Sequence, residues 1–204
     1  MKIVIFGATG GTGKALVGQA LAQGHEVTAL VRNPTKLTTK HKKLSIVQGD
    51  VFHPEQAEKA IAGNDAVLSA LGVSRGAQPT VCSEGTRNII SAMKKHGVKR
   101  LVIESAYGAG DTRKGFYGRL LWIIIRARIA DKERMEQLTQ NSNLDWVIVR
   151  PVALTNGPRT GKYRVGSDLP VSLWPTISRA DTADWMLTQA TDNTYVHKIL
   201  TIAY

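Results

Sequence analysis

The chain of 204 residues contains one cysteine, Cys82. No intrachain disulfide can form, and a reducing cytoplasm is the expected setting. Acidic residues are scarce, with 16 Asp and Glu against 27 Lys and Arg, a formal net charge of +11. Aromatic residues make up only 6% of the chain. The positive excess therefore lacks an aromatic-rich stacking surface, and nucleic acid is a disfavoured partner. No apolar run reaches membrane-spanning length, because the longest, Leu120-Leu121-Trp122-Ile123-Ile124-Ile125, meets Arg126 and Arg128 at once. No basic-apolar-small leader precedes the first apolar stretch, which begins at residue 2, so no cleavable signal is expected. The five histidines, His25, His41, His53, His96 and His197, lack ligand spacing, and no metal site is expected. Repeats, linkers and low-complexity tracts are also missing. A chain that is 43% hydrophobic at this length can build one sizeable core, so a single domain over 1–204, expected as a monomer, is the reading.

The start of the chain carries the strongest pattern. Lys2-Ile3-Val4-Ile5-Phe6 is an apolar, β-prone run that stops at Gly7-Ala8-Thr9-Gly10-Gly11-Thr12-Gly13, after which Leu16, Val17, Ala20 and Leu21 fall at helical spacing. A strand, a turn and a helix follow in that order. Gly7 suits the tight turn, Gly10 admits a pyrophosphate to the main chain, and Gly13 lets helix and strand pack closely. The free N–H groups and dipole of the helix's first turn then face the anion. The G-x-x-G-x-x-G spacing is one residue wider than the tightest dinucleotide fingerprint and points to the short- or extended-chain dehydrogenase/reductase branch.

Further along, strands are predicted over 26–31, 43–48, 65–69, 100–104, 145–149 and 198–203, and helices over 54–62, 80–96 and 116–140, with Gly97 stopping the second of these and Pro151 ending the sixth strand. Strands alternating with helices imply an α/β, Rossmann-type doubly wound and mainly parallel sheet, whose ligand crevice lies at the strands' carboxyl ends. The crevice candidates are therefore Gly7, Thr9, Gly10, Gly11, Thr12 and Gly13, then Arg32, Asp50 and Val51, Leu71 and Gly72, Ser105, and Pro151, Val152, Ala153 and Leu154.

Arg32 ends the second strand, where the adenosine ribose is met. An acidic residue there would repel a 2′-phosphate, whereas Arg32, with Asn33 beside it and Lys36 a turn away, can pair with one in a two-pronged way, so NADP (NADPH) is the expected cofactor. The alternative is a surface arginine in a basic loop. Asp50 either accepts a hydrogen bond from the adenine amino group or caps the helix at Pro54. The wider positive charge, including Arg113 to Arg134 and Arg150 to Arg164, serves solubility or draws anionic ligands such as flavin phosphates and carboxylated pigments.

Cys82 reads as a packed helical residue. Lys132, beside Asp131 and Glu133, reads as solvated rather than as a crevice group. Trp122, Trp146 and Trp185 read as core, while Trp174, next to Pro175, is expected to border an acceptor pocket. The tyrosine acid of short-chain dehydrogenases, Tyr-x-x-x-Lys, is missing: Tyr107 is followed four residues on by Asp111, Tyr117 by Leu121 and Tyr163 by Ser167.

Gly7–Gly13, Leu30-Val31-Arg32, Gly49-Asp50-Val51, Leu71-Gly72, Ser83-Glu84-Gly85-Thr86-Arg87-Asn88-Ile89 and Ser105-Ala106 together resemble the biliverdin reductase B/flavin reductase family of atypical short-chain dehydrogenases/reductases with NmrA-like folds. The resemblance is closest over residues 2–107, with Thr160-Gly161-Lys162-Tyr163 similar to the family's late loop. It implies hydride transfer from NADPH to a loosely held, exchangeable flavin such as FMN or riboflavin, and to a biliverdin-type linear tetrapyrrole. It also implies that Ser105 lies by the nicotinamide and the acceptor, as the catalytic residue; from the sequence alone a plain loop serine stays open. The family's histidine after the sixth strand is replaced here by Pro151-Val152-Ala153-Leu154, so no role resting on it carries over, and the segment from Gly108 to Ala130 is longer and more basic than the family's. A stacked flavin accepts hydride with little help from an acid, so the protein mainly binds and orients. The alternative is a non-catalytic NmrA-like protein that senses NADP(H) or assists assembly.

Overall fold

The computed structural model describes residues 1–73, 78–114 and 116–204, without the side chains of 113–118 and 120–125. Five strands, β1 (Lys2–Phe6), β2 (Glu26–Val31), β3 (Leu44–Gln48), β4 (Ala66–Ser69) and β5 (Arg100–Glu104), alternate with α1 (Gly11–Ala22), α2 (Pro54–Ile61) and α3 (Val81–His96). The chain continues through α4 (Phe116–Gln140), β6 (Asp145–Pro151), β7 (Ala153–Thr155), β8 (Arg164–Gly166), β9 (Thr176–Ser178), α5 (Arg179–Thr188) and β10 (Lys198–Ala203). The main sheet runs β3-β2-β1-β4-β5-β6-β10-β8, parallel throughout except that β8 pairs antiparallel with β10; β7 and β9 form a separate parallel pair. The doubly wound fold is as expected.

Alternation along each strand divides the core between the two faces. Ile3 and Ile5 of β1 join the cluster under α1 and α5, while Val4 and Phe6 join the one under α2, α3 and α4. Gly97 closes α3 in the left-handed conformation, φ 68°, as its position predicts.

The late region departs from the sequence reading. Strand β6 runs through Arg150 to Pro151 rather than stopping at 149, since Pro151 still pairs with Ile202 of β10. Proline is tolerated at this last position because only its carbonyl is used, accepting the Tyr107 N–H at 2.9 Å. Strands β7, β8 and β9 and helix α5 went unread. The strands have three residues each, too few for a period. Helix α5 buries Asp181, Thr182 and Asp184 alongside Ala183 and Trp185, so it has no apolar stripe to recognise. Its start carried a signal nonetheless: Ser178-Arg179-Ala180-Asp181 is a capping pattern, and the Ser178 Oγ accepts the Asp181 N–H at 2.9 Å. Trp146 and Trp185 are buried as expected, and Trp122 lies outside the described residues.

Candidate cofactor cleft and its supporting network

Strands β2 and β3 lie to one side of β1, and β4, β5 and β6 to the other, so the order reverses between β1 and β4. At the carboxyl ends there, a cleft of about 540 Å³ opens. Gly7, Thr9 and Gly10 form one wall, Arg32, Asn33 and Lys36 another, and Asp50, Val51, Leu71 and Gly72 complete the lining. Eight of the sequence-predicted residues are thus brought together: Gly7, Thr9, Gly10, Arg32, Asp50, Val51, Leu71 and Gly72.

The glycines are required by contact. Gly7 has φ +75°, and a Cβ on it would sit 2.3 Å from the Ala70 carbonyl oxygen. A Cβ on Gly13 would lie 2.0 Å from the Gly7 oxygen, so α1 can approach β1 this closely only without one. Gly10, which lines the cleft, donates its N–H to the Gly7 carbonyl at 2.9 Å. The turn is therefore a shallow backbone cradle at the start of a 12-residue helix with no acid in its first turn, and it fits a dinucleotide pyrophosphate.

Beside the cradle, Arg32 and Lys36 are exposed on the wall, and Asn33 accepts the Thr35 N–H at 3.0 Å to hold that wall's short turn. Asp50 does not cap α2, whose N-cap is His53. Its Oδ1 instead accepts the Phe52 N–H at 3.1 Å within its own loop. The run Ser83–Ile89 acquires a physical meaning. A Cβ on Gly85 would meet Leu71 and Val51 at 2.9 Å, and Asn88 donates to the Val51 carbonyl at 2.9 Å, so this stretch of α3 is fitted to the cleft floor.

Other expected residues lie outside this lining. Gly11, Thr12 and Gly13 are the first turn of α1 itself. Strand β6 ends two strands beyond β4, and so Pro151, Val152, Ala153 and Leu154 do not reach the cleft: Val152 is buried in the core, and Ala153 and Leu154 pair with Thr176 and Ile177. Trp174 is 71% exposed and lines no part of the cleft. Cys82 is packed as expected, its thiol bonded to the Leu71 carbonyl at 3.5 Å and pushed up in pKa by burial.

Lys132 corrects the sequence reading. It is buried, and its Nζ donates to the carbonyls of Leu71 at 2.7 Å and Glu104 at 2.5 Å, tying together the chain just past β4 and the end of β5. The neighbouring Asp131 is also buried; it accepts the Cys82 N–H at 2.9 Å and the Ser83 hydroxyl at 2.5 Å, capping α3 from another helix. Helical spacing was the overlooked signal, since Ile129, Lys132, Met135, Glu136 and Thr139 form one buried stripe of α4.

Ser105, also expected at the cofactor, is not part of this lining; it is buried just past β5. It donates its hydroxyl to Glu136 Oε1 at 2.5 Å, and Glu136 is held in turn by Arg150, through Nε at 2.9 Å and Nη2 at 2.7 Å; Arg150 also pairs with Asp111. Glu104 is buried too and accepts the Thr12 hydroxyl at 2.9 Å. Burial pushes its pKa up, opposed by Lys132, the Thr12 bond and Arg179. Sequence reasoning missed Glu104, Glu136 and Arg150, although an acid or arginine inside an apolar strand such as Val-Ile-Val-Arg-Pro demands a buried partner.

Fold and cleft together define a Rossmann-type NAD(P)-binding protein with an oxidoreductase-type architecture. Residues 7–193 match the NAD(P)H-binding family model, and the chain belongs to that family. It is 31% identical over 176 residues to YwnB of Bacillus subtilis, covering 82% of this chain and 80% of that one. It is 29% identical to the photosystem II assembly factor Ycf39 of Synechocystis over 86% of this chain, but spans only 52% of that relative. Among solved structures, ChuY, an anaerobillin reductase from Escherichia coli O157:H7, superposes with a TM-score of 0.83 at 22% identity over 99% of this chain and 96% of ChuY, a likeness of fold. Among the described residues no helix is long and apolar enough to cross a membrane.

Proposed function

We propose that the protein is an NADPH-dependent reductase that passes hydride to a loosely held planar acceptor, free FMN or riboflavin first and a biliverdin-type tetrapyrrole second. The observation that carries the cofactor choice is the wall formed by Arg32, Asn33 and Lys36 just past β2, which presents two cations and no acid; Asp50, the acid in the lining, stands just past β3. A guanidinium there favours a 2′-phosphate by a charge-assisted pair. When bound, NADPH supplies the hydride.

The chain's own residues bind and orient. The cradle of Gly7 to Gly13 takes the pyrophosphate, and Val51, Leu71 and Gly85 shape an apolar floor. Lys132 brings a fixed positive charge to the carboxyl ends of β4 and β5 and locks their spacing. Ser105, oriented by Glu136 and Arg150, is the one hydroxyl proposed to lie by the acceptor. Its proton is engaged by Glu136, so its part is positioning rather than acid catalysis. This agrees with the missing tyrosine acid, which a flavin acceptor does not need.

A second reading, a non-catalytic NADP(H)-sensing or assembly protein, is favoured by one observation, the relative that is named an assembly factor. Cofactor titration tests the shared part of both readings. NADPH should bind much more tightly than NADH, and Arg32→Ala should remove about 10- to 100-fold of that preference, the worth of one charge-assisted hydrogen bond. Equal binding of the two cofactors by the wild type, or an undiminished preference in the variant, rejects the assignment.

A further inference from the structure

We infer that Arg179, the first residue of α5, is the cation that faces the cofactor's pyrophosphate. The inference rests on the dinucleotide reading of the cleft and adds to it a residue from an element distant in sequence. A Cβ built on Gly11 would lie 2.4 Å from Arg179 Cδ and 2.7 Å from its Nε. The arginine side chain is therefore laid across the first turn of α1 at Gly11, where a larger residue would have to push it aside. Gly11 has no unusual φ, so what a side chain there would meet is Arg179 and not backbone strain.

The arginine is half-buried and held in place. Its Nη1 donates to the Leu154 carbonyl at 3.3 Å and to Asn156 Oδ1 at 2.8 Å. These are two neutral acceptors. They fix the guanidinium without an ion pair, so its charge acts both on Glu104 beneath and on a ligand at the turn.

Charge balance argues the same way. Glu104 is buried beneath this turn and bonded to Thr12 at 2.9 Å, so the cradle that must receive a doubly negative pyrophosphate has a carboxyl group under it. Lys132 faces Glu104 from α4, but its ammonium is occupied by the carbonyls of Leu71 and Glu104. Lys14, a turn into α1, is exposed to solvent. Arg32 and Lys36 stand on the opposite wall, at the end of β2. Among the described residues Arg179 is the cation placed at the glycine turn itself, and it links that turn to the segment after β6 through Leu154 and Asn156.

Two arginines facing two separate phosphates can be told apart by ligand. Isothermal titration of wild type, Arg179→Gln and Arg179→Lys with NADPH, NADH and adenosine 2′-monophosphate, which lacks the pyrophosphate, separates them. Arg179→Gln should weaken NADPH and NADH by the same factor, on the order of 10- to 100-fold. It should leave adenosine 2′-monophosphate within about twofold, which also shows that the variant is folded, and Arg179→Lys should recover part of the loss. NADPH affinity unchanged in Arg179→Gln, or an equal loss for adenosine 2′-monophosphate, overturns the inference while the cofactor reading stands. Failure of the wild type to bind either dinucleotide removes both.

Discussion

Asp181 gives the fold a pH dependence that the hydrogen-bond pattern fixes in sign and size. Its carboxylate is fully buried and accepts bonds from the Thr160 N–H at 2.8 Å, the Gly161 N–H at 2.8 Å, the Thr160 hydroxyl at 2.9 Å and the Tyr204 hydroxyl at 2.6 Å. Burial alone pushes its pKa up, but these donors outweigh burial and hold it at about 2, against an ordinary 3.8. The native state thus binds this proton less readily than the unfolded chain, so the stabilisation is complete well above pH 3.8 and is lost as pH falls towards 2. The gap corresponds to about 2.4 kcal/mol, of which about half is gone by pH 3. Urea unfolding of wild type and Asp181→Asn at pH 7 and near pH 2.5 isolates this part, because every other carboxylate titrates in both proteins. Asp181→Asn also sets an amide N–H against existing donors, a cost that does not vary with pH. The stability difference should shrink by about 1.5–2 kcal/mol on acidification. A difference that is the same at both pH values refutes the reasoning.

Gly10→Val should abolish NADPH binding in a chain that still folds, judged by titration of a sample with native circular dichroism, since the new side chain fills the cradle; unchanged affinity would move the cofactor elsewhere. Ser105→Ala should slow single-turnover NADPH oxidation with excess FMN by only about 2- to 20-fold at nearly unchanged NADPH affinity, because it removes one neutral-donor hydrogen bond. A loss of about a thousandfold would instead show general acid catalysis. Glu136→Gln should destabilise the fold by about 3–5 kcal/mol in urea unfolding, since Arg150 keeps its buried charge and loses its bidentate partner; a cost under about 1 kcal/mol would mean that Asp111 alone satisfies Arg150.

The parts of the molecule legible in its sequence were those that rest on a repeating local rule. β1 and α1 were marked by an apolar run, a glycine turn and helical spacing, and β2, β5 and β10 occupy the ranges their β-prone runs predict. The part of the cleft lined by Arg32, Asp50 and Leu71 followed, because a doubly wound topology places them at strand ends whatever the details of packing. What escaped was long-range and polar. Lys132 looked solvated because Asp131 and Glu133 flank it in sequence, whereas in space it meets two strand-end carbonyls and Asp131 serves α3. Ser105 was placed by topology, but its partner Glu136 lies 31 residues away, and only folding brings it, Arg150 and Asp111 into one network. Helix α5 hid because buried aspartates and a threonine break its apolar period. Yet it supplies Asp181 to the Thr160–Gly161 loop and lays Arg179 across the first turn of α1.

The central claim, hydride transfer from NADPH to free flavin at this cleft, is tested most directly by mixing the protein with NADPH and FMN and following the nicotinamide absorbance, with NADH, the Arg32→Ala variant and biliverdin as parallel arms. The account predicts protein-dependent NADPH oxidation that requires FMN, is far slower with NADH, and loses that cofactor preference in Arg32→Ala. Tight NADPH binding without oxidation in the presence of FMN or biliverdin would contradict it and leave the cofactor-sensing reading in its place.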